Sequence, residues 1–393
     1  MAATRLRTPT GEYVITTVAG EEVRAFVPAP LPPDPPLSMD GPLVTALDEA
    51  SRALGRFDGA VRYLPNKGLL IYSYVRKEAV LSSQIEGTQS SLSDLMRHEL
   101  DASPGVPLDD VTEVSTYVAA LEHAVAEMTN PSGLPLCNRL LRRAHGILLS
   151  SGRGADKHPG EFRSTQNWIG GSRPGNAAFV PPPAQEAHQA ISDLEKFLHA
   201  DDRFPPLMHA GLAHVQFETI HPFLDGNGRI GRMLIMLLLL DRDVLSTQAF
   251  YPSLYLKQNR SDYYDLLNRV RLYGDWNEWL LFFLEGIRST ADAALSTTQR
   301  LEEMAAHDRK VISDRTGRAA GSALRVHESL MQRPVLNVET SAKFSGLSWP
   351  AVNNALTRLC ELGIASEATG QRRNRVFAYT GYLHVLEEGT EPL

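Results

Sequence analysis

The chain has little cysteine, no long apolar run and no surplus of positive charge, and each lack removes a class of protein. Its 393 residues hold only two cysteines, Cys137 and Cys360, far apart and without metal-ligand spacing. Neither a disulfide framework nor a zinc site is supported, and a reducing cytoplasm is the expected location. The most apolar stretch, Met233 to Leu240, is far too short to span a bilayer, which takes about 20 apolar residues. No basic segment followed by an apolar run stands at the start, so neither a leader nor a membrane partner is expected. With 39 basic against 46 acidic residues the formal charge is −7, which argues against wholesale binding to nucleic acid or anionic lipid. His209, His214 and His221 lack the His-x-x-x-His spacing of a helical zinc pair. What is present, 43% apolar and 22% charged residues, describes a globular chain with room for about two or three domains.

The stretch His221-Pro222-Phe223-Leu224-Asp225-Gly226-Asn227-Gly228-Arg229-Ile230-Gly231-Arg232 packs a base, an acid, three glycines and two arginines into twelve residues. Before it, Met208, Leu212 and Val215 fall at the spacing of an amphipathic helix that ends near Pro222. After it, Ile230 to Leu240 is apolar and helix-forming. The segment therefore reads as helix, tight glycine turn and the N-terminus of a second helix. Backbone N–H groups of the Gly-Asn-Gly turn and the positive helix end suit an anion. His221 titrates near neutral pH and can take a proton from an attacking hydroxyl. Asp225 offers hard oxygen for Mg²⁺. Arg229 and Arg232, three apart on one helix face, can fork onto phosphate oxygens. Together these groups suit phosphoryl or nucleotidyl transfer. Gly226-x-Gly228-x-x-Gly231 is formally a dinucleotide fingerprint, but that motif needs a preceding strand, and here a helix precedes.

The twelve residues match the Fic-family signature H-P-F-x-D/E-G-N-G-R-x-x-R at every specified position, and Phe217-Glu218-Thr219-Ile220 leads into it as in that family. The chain thus resembles Fic proteins, which are mostly α-helical and typically transfer AMP from ATP to a hydroxyl side chain of a target protein. Carried over by position, the resemblance implies His221 as the base, Asp225 as the Mg²⁺ ligand, and Gly226, Asn227 and Gly228 as the anion hole. Arg229 and Arg232 would be the phosphate contacts. By the same resemblance Asn259 and Tyr263, in the run Tyr255 to Tyr264, are assigned to the nucleotide, although packing explains each tyrosine equally well.

A helical pattern from about Ile71 ends in Ser82-Ser83-Gln84-Ile85-Glu86-Gly87, with Gly87 a C-terminal cap. Ser82 and Glu86, four apart, share a face, and a carboxylate at a negative helix end is poorly placed for stability by itself. Ser82-x-x-x-Glu86-Gly87 resembles the inhibitory motif of Fic proteins, whose glutamate pairs with the second motif arginine, here Arg232. An arginine so held cannot clamp the γ-phosphate of ATP, and low basal activity is expected. Residues 11 to 27 suggest a hairpin around Ala19-Gly20, followed by a proline-rich arm, Pro28 to Pro36. Two helices are expected between 108 and 150, with His145 a core or surface histidine. Gly160 through Pro183 is strand-like around Gly170-Gly171 and looks like the family's flap, a hairpin that pairs with a target segment by β-augmentation. Residues 289 to 318 read as a long polar helix or linker.

Beyond it, Val338 to Phe344 and Ser348 to Leu362 read as helices, with Gly346 in the turn and Ser348 available as N-cap. Two strands then flank the basic tip Gly370-Gln371-Arg372-Arg373-Asn374-Arg375. The pattern is a winged helix-turn-helix, which admits DNA binding, homodimerisation or protein docking. The expected fold is mainly α. Residues 1–107 form an N-terminal arm and inhibitory helix region, 108–290 a Fic-type core with a small β-hairpin flap, 291–319 a linker helix and 320–385 the winged helix. The expected activity is ATP- and Mg²⁺-dependent protein adenylyl transfer to a target protein or to the chain itself. AMP removal with Glu86 orienting a water, and DNA-binding regulation with a nucleotide-sensing core, are the alternatives.

Overall fold

The structure is a computed structural model that describes residues 5–64, 67–100, 106–200, 204–371 and 374–392. Arg372 and Arg373 of the expected basic tip lie outside the described residues. Three strands open the chain, β1 (Arg5–Thr8), β2 (Gly11–Val18) and β3 (Glu21–Pro28), antiparallel in the order β1-β2-β3. The β2–β3 hairpin turns where the sequence places it. Ala19 and Gly20 are both left-handed, with φ of 50° and 85°, the two-residue turn whose twist suits a hairpin.

Helices follow: α1 (Gly41–Arg62), α2 (Lys67–Ile85), α3 (Leu92–His98), α4 (Leu108–Thr129), α5 (Asn138–Leu148) and α6 (Ala184–Leu198). Then come α7 (Pro206–Ile220), α8 (Asn227–Asp241), α9 (Ser253–Gln258), α10 (Arg260–Tyr273) and α11 (Trp276–Arg315). The C-terminal part runs α12 (Ala320–Gln332), β4 (Val335–Asn337), α13 (Val338–Ser345), α14 (Trp349–Glu361), β5 (Ser366–Glu367), β6 (Val376–Ala378) and α15 (Thr380–Glu387). Its sheet is antiparallel, in the order β4-β6-β5. The protein is therefore mainly α with two small antiparallel sheets. Among the described residues no helix is long and apolar enough to cross a membrane.

Most of the polar stretch 289–318 continues α11, which runs unbroken from Trp276 to Arg315 with no proline to end it. Ser348 stands at the N-cap of α14 with extended backbone, but its hydroxyl makes no capping bond. Pro350, in the first turn, has no N–H to offer there.

The chain divides into two compact units, residues 1–55, 115–248 and 255–291 in one, and 56–114, 249–254 and 292–393 in the other. In the first, α7 is buried on every side from Leu207 to Ile220, and α8 is buried from Arg229 to Leu239. A helix buried all round forms the centre of its unit. Gly211 of α7 lets α11 approach. The Trp279 indole N–H donates to the Gly211 carbonyl at 2.9 Å, and a Cβ on Gly211 would meet Leu280 and Phe283 at 3.0 Å. The residue after β3 is held to the same helix, since Gln216 donates to the Ala29 carbonyl at 2.9 Å.

In the second unit the Tyr72 ring lies between two guanidiniums, Arg76 at 3.6 Å and Arg333 at 4.0 Å. Glu99 accepts from the Tyr72 hydroxyl at 2.6 Å and from Arg76 Nε at 2.7 Å, and pairs with Arg333 at 3.2 Å. Burial pushes the Tyr72 phenol up to about 12, so it remains a donor. The end of α2 is held by the C-terminal tail: Lys77 donates to the Glu388 carbonyl at 2.8 Å and Gln84 to the Thr390 carbonyl at 2.7 Å.

Because the α7–α11 approach has no spare volume, Gly211→Ala is expected to lower unfolding stability by about 1–3 kcal/mol. Urea denaturation checks this, and an unchanged midpoint would show that the crossing tolerates a methyl.

Candidate active site

The helix α7 stops at His221 for local reasons. Pro222 follows, which disfavours helical backbone at the residue before it, and His221 takes the left-handed conformation, φ 49° and ψ 61°. Its N–H still closes the last turn on the Phe217 carbonyl at 2.9 Å. A left-handed residue other than glycine costs on the order of 1–3 kcal/mol, so the surroundings must fix it. They do so through the loop that follows. Phe223 is fully buried, stacked on His145 with ring centroids 3.7 Å apart. The Asn227 side-chain amide satisfies both of its backbone groups, Oδ1 accepting from Phe223 N–H at 2.8 Å and Nδ2 donating to Phe223 C=O at 2.9 Å. Asn167 donates to that same carbonyl at 2.9 Å. Both hydrogen-bonding ends of Asn227 thus serve the loop, which leaves its backbone for any ligand.

With Phe223 drawn inward, Asp225 turns outward and its side chain is 35% exposed. Its Oδ1 accepts the Gly226 N–H at 2.6 Å, so the carboxylate sits at the positive end of α8. Gly226 is left-handed, φ 75°, as the reversal into α8 demands. Gly228 lies in the first turn of α8. Arg229 and Arg232 project from that turn with only 1% exposure each. A guanidinium nitrogen of Arg229 is 3.9 Å from Asp225 Oδ1. Gly154 borders the carboxylate so closely that a Cβ there would come within 2.8 Å of Asp225 Oδ2.

The fold therefore collects His221, Asp225, Gly226, Asn227, Gly228, Arg229 and Arg232 on one loop and helix start within the first unit. Asn259 and Tyr263 belong to the same unit. Asn259 precedes α10 and donates to the Tyr255 carbonyl at 3.0 Å. Tyr263 is fully buried, its hydroxyl 2.9 Å from His214 Nε2. Ser82, Glu86 and Gly87 belong to the second unit. Ser82 is fully buried in α2, Glu86 follows the last helical residue, and Gly87 takes φ 101° as the terminating glycine. The flap segment is less regular than expected. Its two arms meet in a bridge at Ile169 and Phe179, where Gly170 and Gly171 are left-handed and a short turn occupies Pro174–Asn176, and the Val180 carbonyl accepts from Phe26 N–H of β3 at 2.9 Å.

Three residues at the site escaped the sequence reading. His145, left there as an ordinary core or surface histidine, is a hinge pin. Gly160 N–H can only donate, so Nδ1 accepts it at 2.9 Å and Nε2 carries the proton, donated to the Asp225 carbonyl at 3.0 Å. Burial lowers its pKa to about 4, which keeps it neutral. Arg163 and Asn167 also reach the loop, from the first part of the flap segment. Their signal lay in Gly160-Glu161-Phe162-Arg163, whose contacts only the fold reveals. His214 is likewise neutral, lowered to about 3 by burial, and bonds the Gly231 carbonyl at 2.9 Å.

Among the described residues no group of three or more His, Cys, Asp or Glu side chains could cage a metal. A single half-exposed carboxylate at a phosphate-type cradle suits Mg²⁺, which completes its shell with substrate oxygens and water.

Residues 44–126 match the model of the Fic/DOC family N-terminal region, and residues 135–239 that of the Fic/DOC family. Two curated relatives are each named protein adenylyltransferase Fic. That of Culex quinquefasciatus is 31% identical over 223 residues, 55% of this chain and 41% of the relative. That of Nematostella vectensis is 28% identical over 251 residues, 58% of this chain and 52% of the relative. The chain thus spans about half the length of these relatives or less. Among solved structures, a Fic family protein from Desulfovibrio desulfuricans G20 superposes with a TM-score of 0.58 at 20% identity, covering 88% of this chain and 98% of that one. Fic-1 from C. elegans gives 0.52 at 20% identity, covering 66% and 75%. These likenesses concern the fold.

Asn227→Ala would leave both backbone groups of a buried residue unsatisfied, and a loss of about 2–4 kcal/mol is expected by chemical denaturation. A loss below about 0.5 kcal/mol would mean the loop closes without the amide. His145 and His214 are neutral when folded, and each regains its ordinary pKa of 6.5 on unfolding. Unfolding then takes up protons below pH 6.5. Stability falls as pH drops from 6.5 toward 4, with a slope approaching about 1.4 kcal/mol per pH unit for each histidine. Denaturation midpoints at pH 7, 6 and 5 test this, and a flat profile would contradict the neutral assignment.

Proposed function

On the footing that the chain belongs to the Fic/DOC family, we propose that it is a protein adenylyltransferase that moves AMP from ATP to a hydroxyl side chain of a target protein. The observation that carries this reading is the single loop on which a left-handed histidine, an outward carboxylate and a helix N-terminus flanked by two arginines meet. His221 takes the proton of the target hydroxyl as its oxygen attacks the α-phosphorus of ATP. A phosphodiester bond forms to AMP, the bond to the β-phosphate oxygen breaks, and pyrophosphate leaves. Backbone N–H groups at the start of α8 hold negative charge that builds on the phosphate oxygens. Arg229 and Arg232 grip the outgoing phosphates. Asp225 would hold Mg²⁺, which neutralises charge on the triphosphate when bound.

Glu86 restrains the reaction by competing with the γ-phosphate for Arg232, as the likeness of Ser82-x-x-x-Glu86-Gly87 to the family's inhibitory motif suggests. The flap from Gly160 to Pro183 registers the target segment by backbone pairing. The assignment of residues 1–107 to arm and inhibitory region, 108–290 to catalysis, 291–319 to a linker and 320–385 to a winged helix is retained. A docking role suits that last module better than DNA. Arg358 pairs with Glu361, Arg333 with Glu99, and Arg375 donates to Asn353, so these basic side chains are already engaged. Two free cysteines accord with a reducing cytoplasm.

The test is transfer of label from ATP labelled at the α-phosphate to the protein and to a lysate, comparing wild type, Glu86→Gly, and Glu86→Gly with His221→Ala. Faint label in wild type, strong label in Glu86→Gly and none in the double variant are expected. Absence of label in all three, with ATP bound, would overturn the transferase reading.

A further inference from the structure

Arg163 is 1% exposed, yet every hydrogen bond of its guanidinium ends on a backbone carbonyl. Nε donates to His221 at 2.9 Å, Nη1 to Thr165 at 3.2 Å, and Nη2 to Pro182 at 2.5 Å and Ile220 at 3.4 Å. Its main-chain N–H donates to the Pro222 carbonyl at 2.9 Å, and its own carbonyl accepts from His188 Nε2 at 3.1 Å. A cation buried so deeply is expensive, and desolvation lowers its pKa to about 10. Its place explains how it is tolerated, because the carbonyls of Ile220 and His221 close α7, where the helix dipole is negative. Residues 220, 221 and 222 are thus bonded by one residue, and Thr165 and Pro182 are the two roots of the flap.

We infer that Arg163 is a positioning residue for the transfer reaction: it fixes the left-handed backbone at His221, and so the imidazole, and ties both flap roots to the same point. The inference rests on the reading of His221 as the base. The chemistry is specific to arginine, since a planar fork serves carbonyls lying in several directions while a lysine ammonium is a single compact charge. Removing the fork leaves the nucleotide cradle at α8 in place and lets the base wander. A misplacement of about 1 Å costs on the order of 100-fold in rate.

The experiment places Arg163→Met and Arg163→Lys in the active Glu86→Gly protein, and repeats Arg163→Met on top of His221→Ala. Arg163→Met is expected to lower kcat by about 100-fold with KM for ATP changed less than about threefold, and Arg163→Lys to fall between. In the His221→Ala background, where no transfer is expected, the same change is expected to alter the affinity for ATP by less than about threefold, because the residue acts only through His221. A larger loss of that affinity, or a rise in KM that accounts for the defect, would overturn the inference in favour of general structural support. Should Arg163→Met fail to fold, Arg163→Lys decides by the same split between kcat and KM. If the Glu86→Gly parent transfers no label, the transferase reading falls and this inference falls with it.

Discussion

The side-chain amide of Asn227 bonds both backbone groups of Phe223, and the geometry between α7 and α8 depends on that pair. A hairpin of two buried helices needs its connecting loop to bury something, or the loop becomes a hole in the core. Here the Phe223 ring fills that place, and a phenylalanine drawn inward drags its polar main chain with it. An unsatisfied amide there would cost about 1–3 kcal/mol for each group. Asn227 removes that cost from four residues along the chain. Pro222 and Gly226 stay buried, and the part of the loop between Phe223 and Gly226, Leu224 and Asp225, is partly exposed. The chemistry is therefore available because the packing is complete.

Much of this was legible beforehand. A base, an acid, glycines and arginines at fixed spacing between two apolar helical runs made the helix–turn–helix arrangement readable. The N-terminal hairpin was equally readable, because Ala19-Gly20 between alternating valines and threonines is a local signal. The residues that escaped act over long sequence separation: His145 lies 80 residues before Asp225, and Arg163 58 before His221. Nothing in a linear pattern distinguishes them from their neighbours. Tyr263 is the opposite case: its residue type is visible in the sequence, but its place beside a buried histidine and tryptophan shows only in the fold.

The second unit follows a different logic. Besides the apolar core of its C-terminal elements, it has a shared polar group, with Glu99 serving Tyr72, Arg76 and Arg333 at once. The tail beyond α15 bonds the last turns of α2 through Lys77 and Gln84. These contacts join residues more than 200 positions apart, so the conformation of the segment containing Ser82 and Glu86 is fixed from the far end of the chain. A sequence reading that treats Ser82 to Gly87 as a local feature of one helix end cannot contain this.

Glu21, at the start of β3, holds the far side of the flap: its carboxylate accepts from Arg173 at 2.5 Å and from the Gly175 N–H at 3.0 Å. That side of the flap is thereby referenced to a surface hairpin, apart from the roots that Arg163 ties to the end of α7. Divergence can exploit that separation. Changes at the hairpin tip would shift that side of the flap without disturbing the buried loop between α7 and α8.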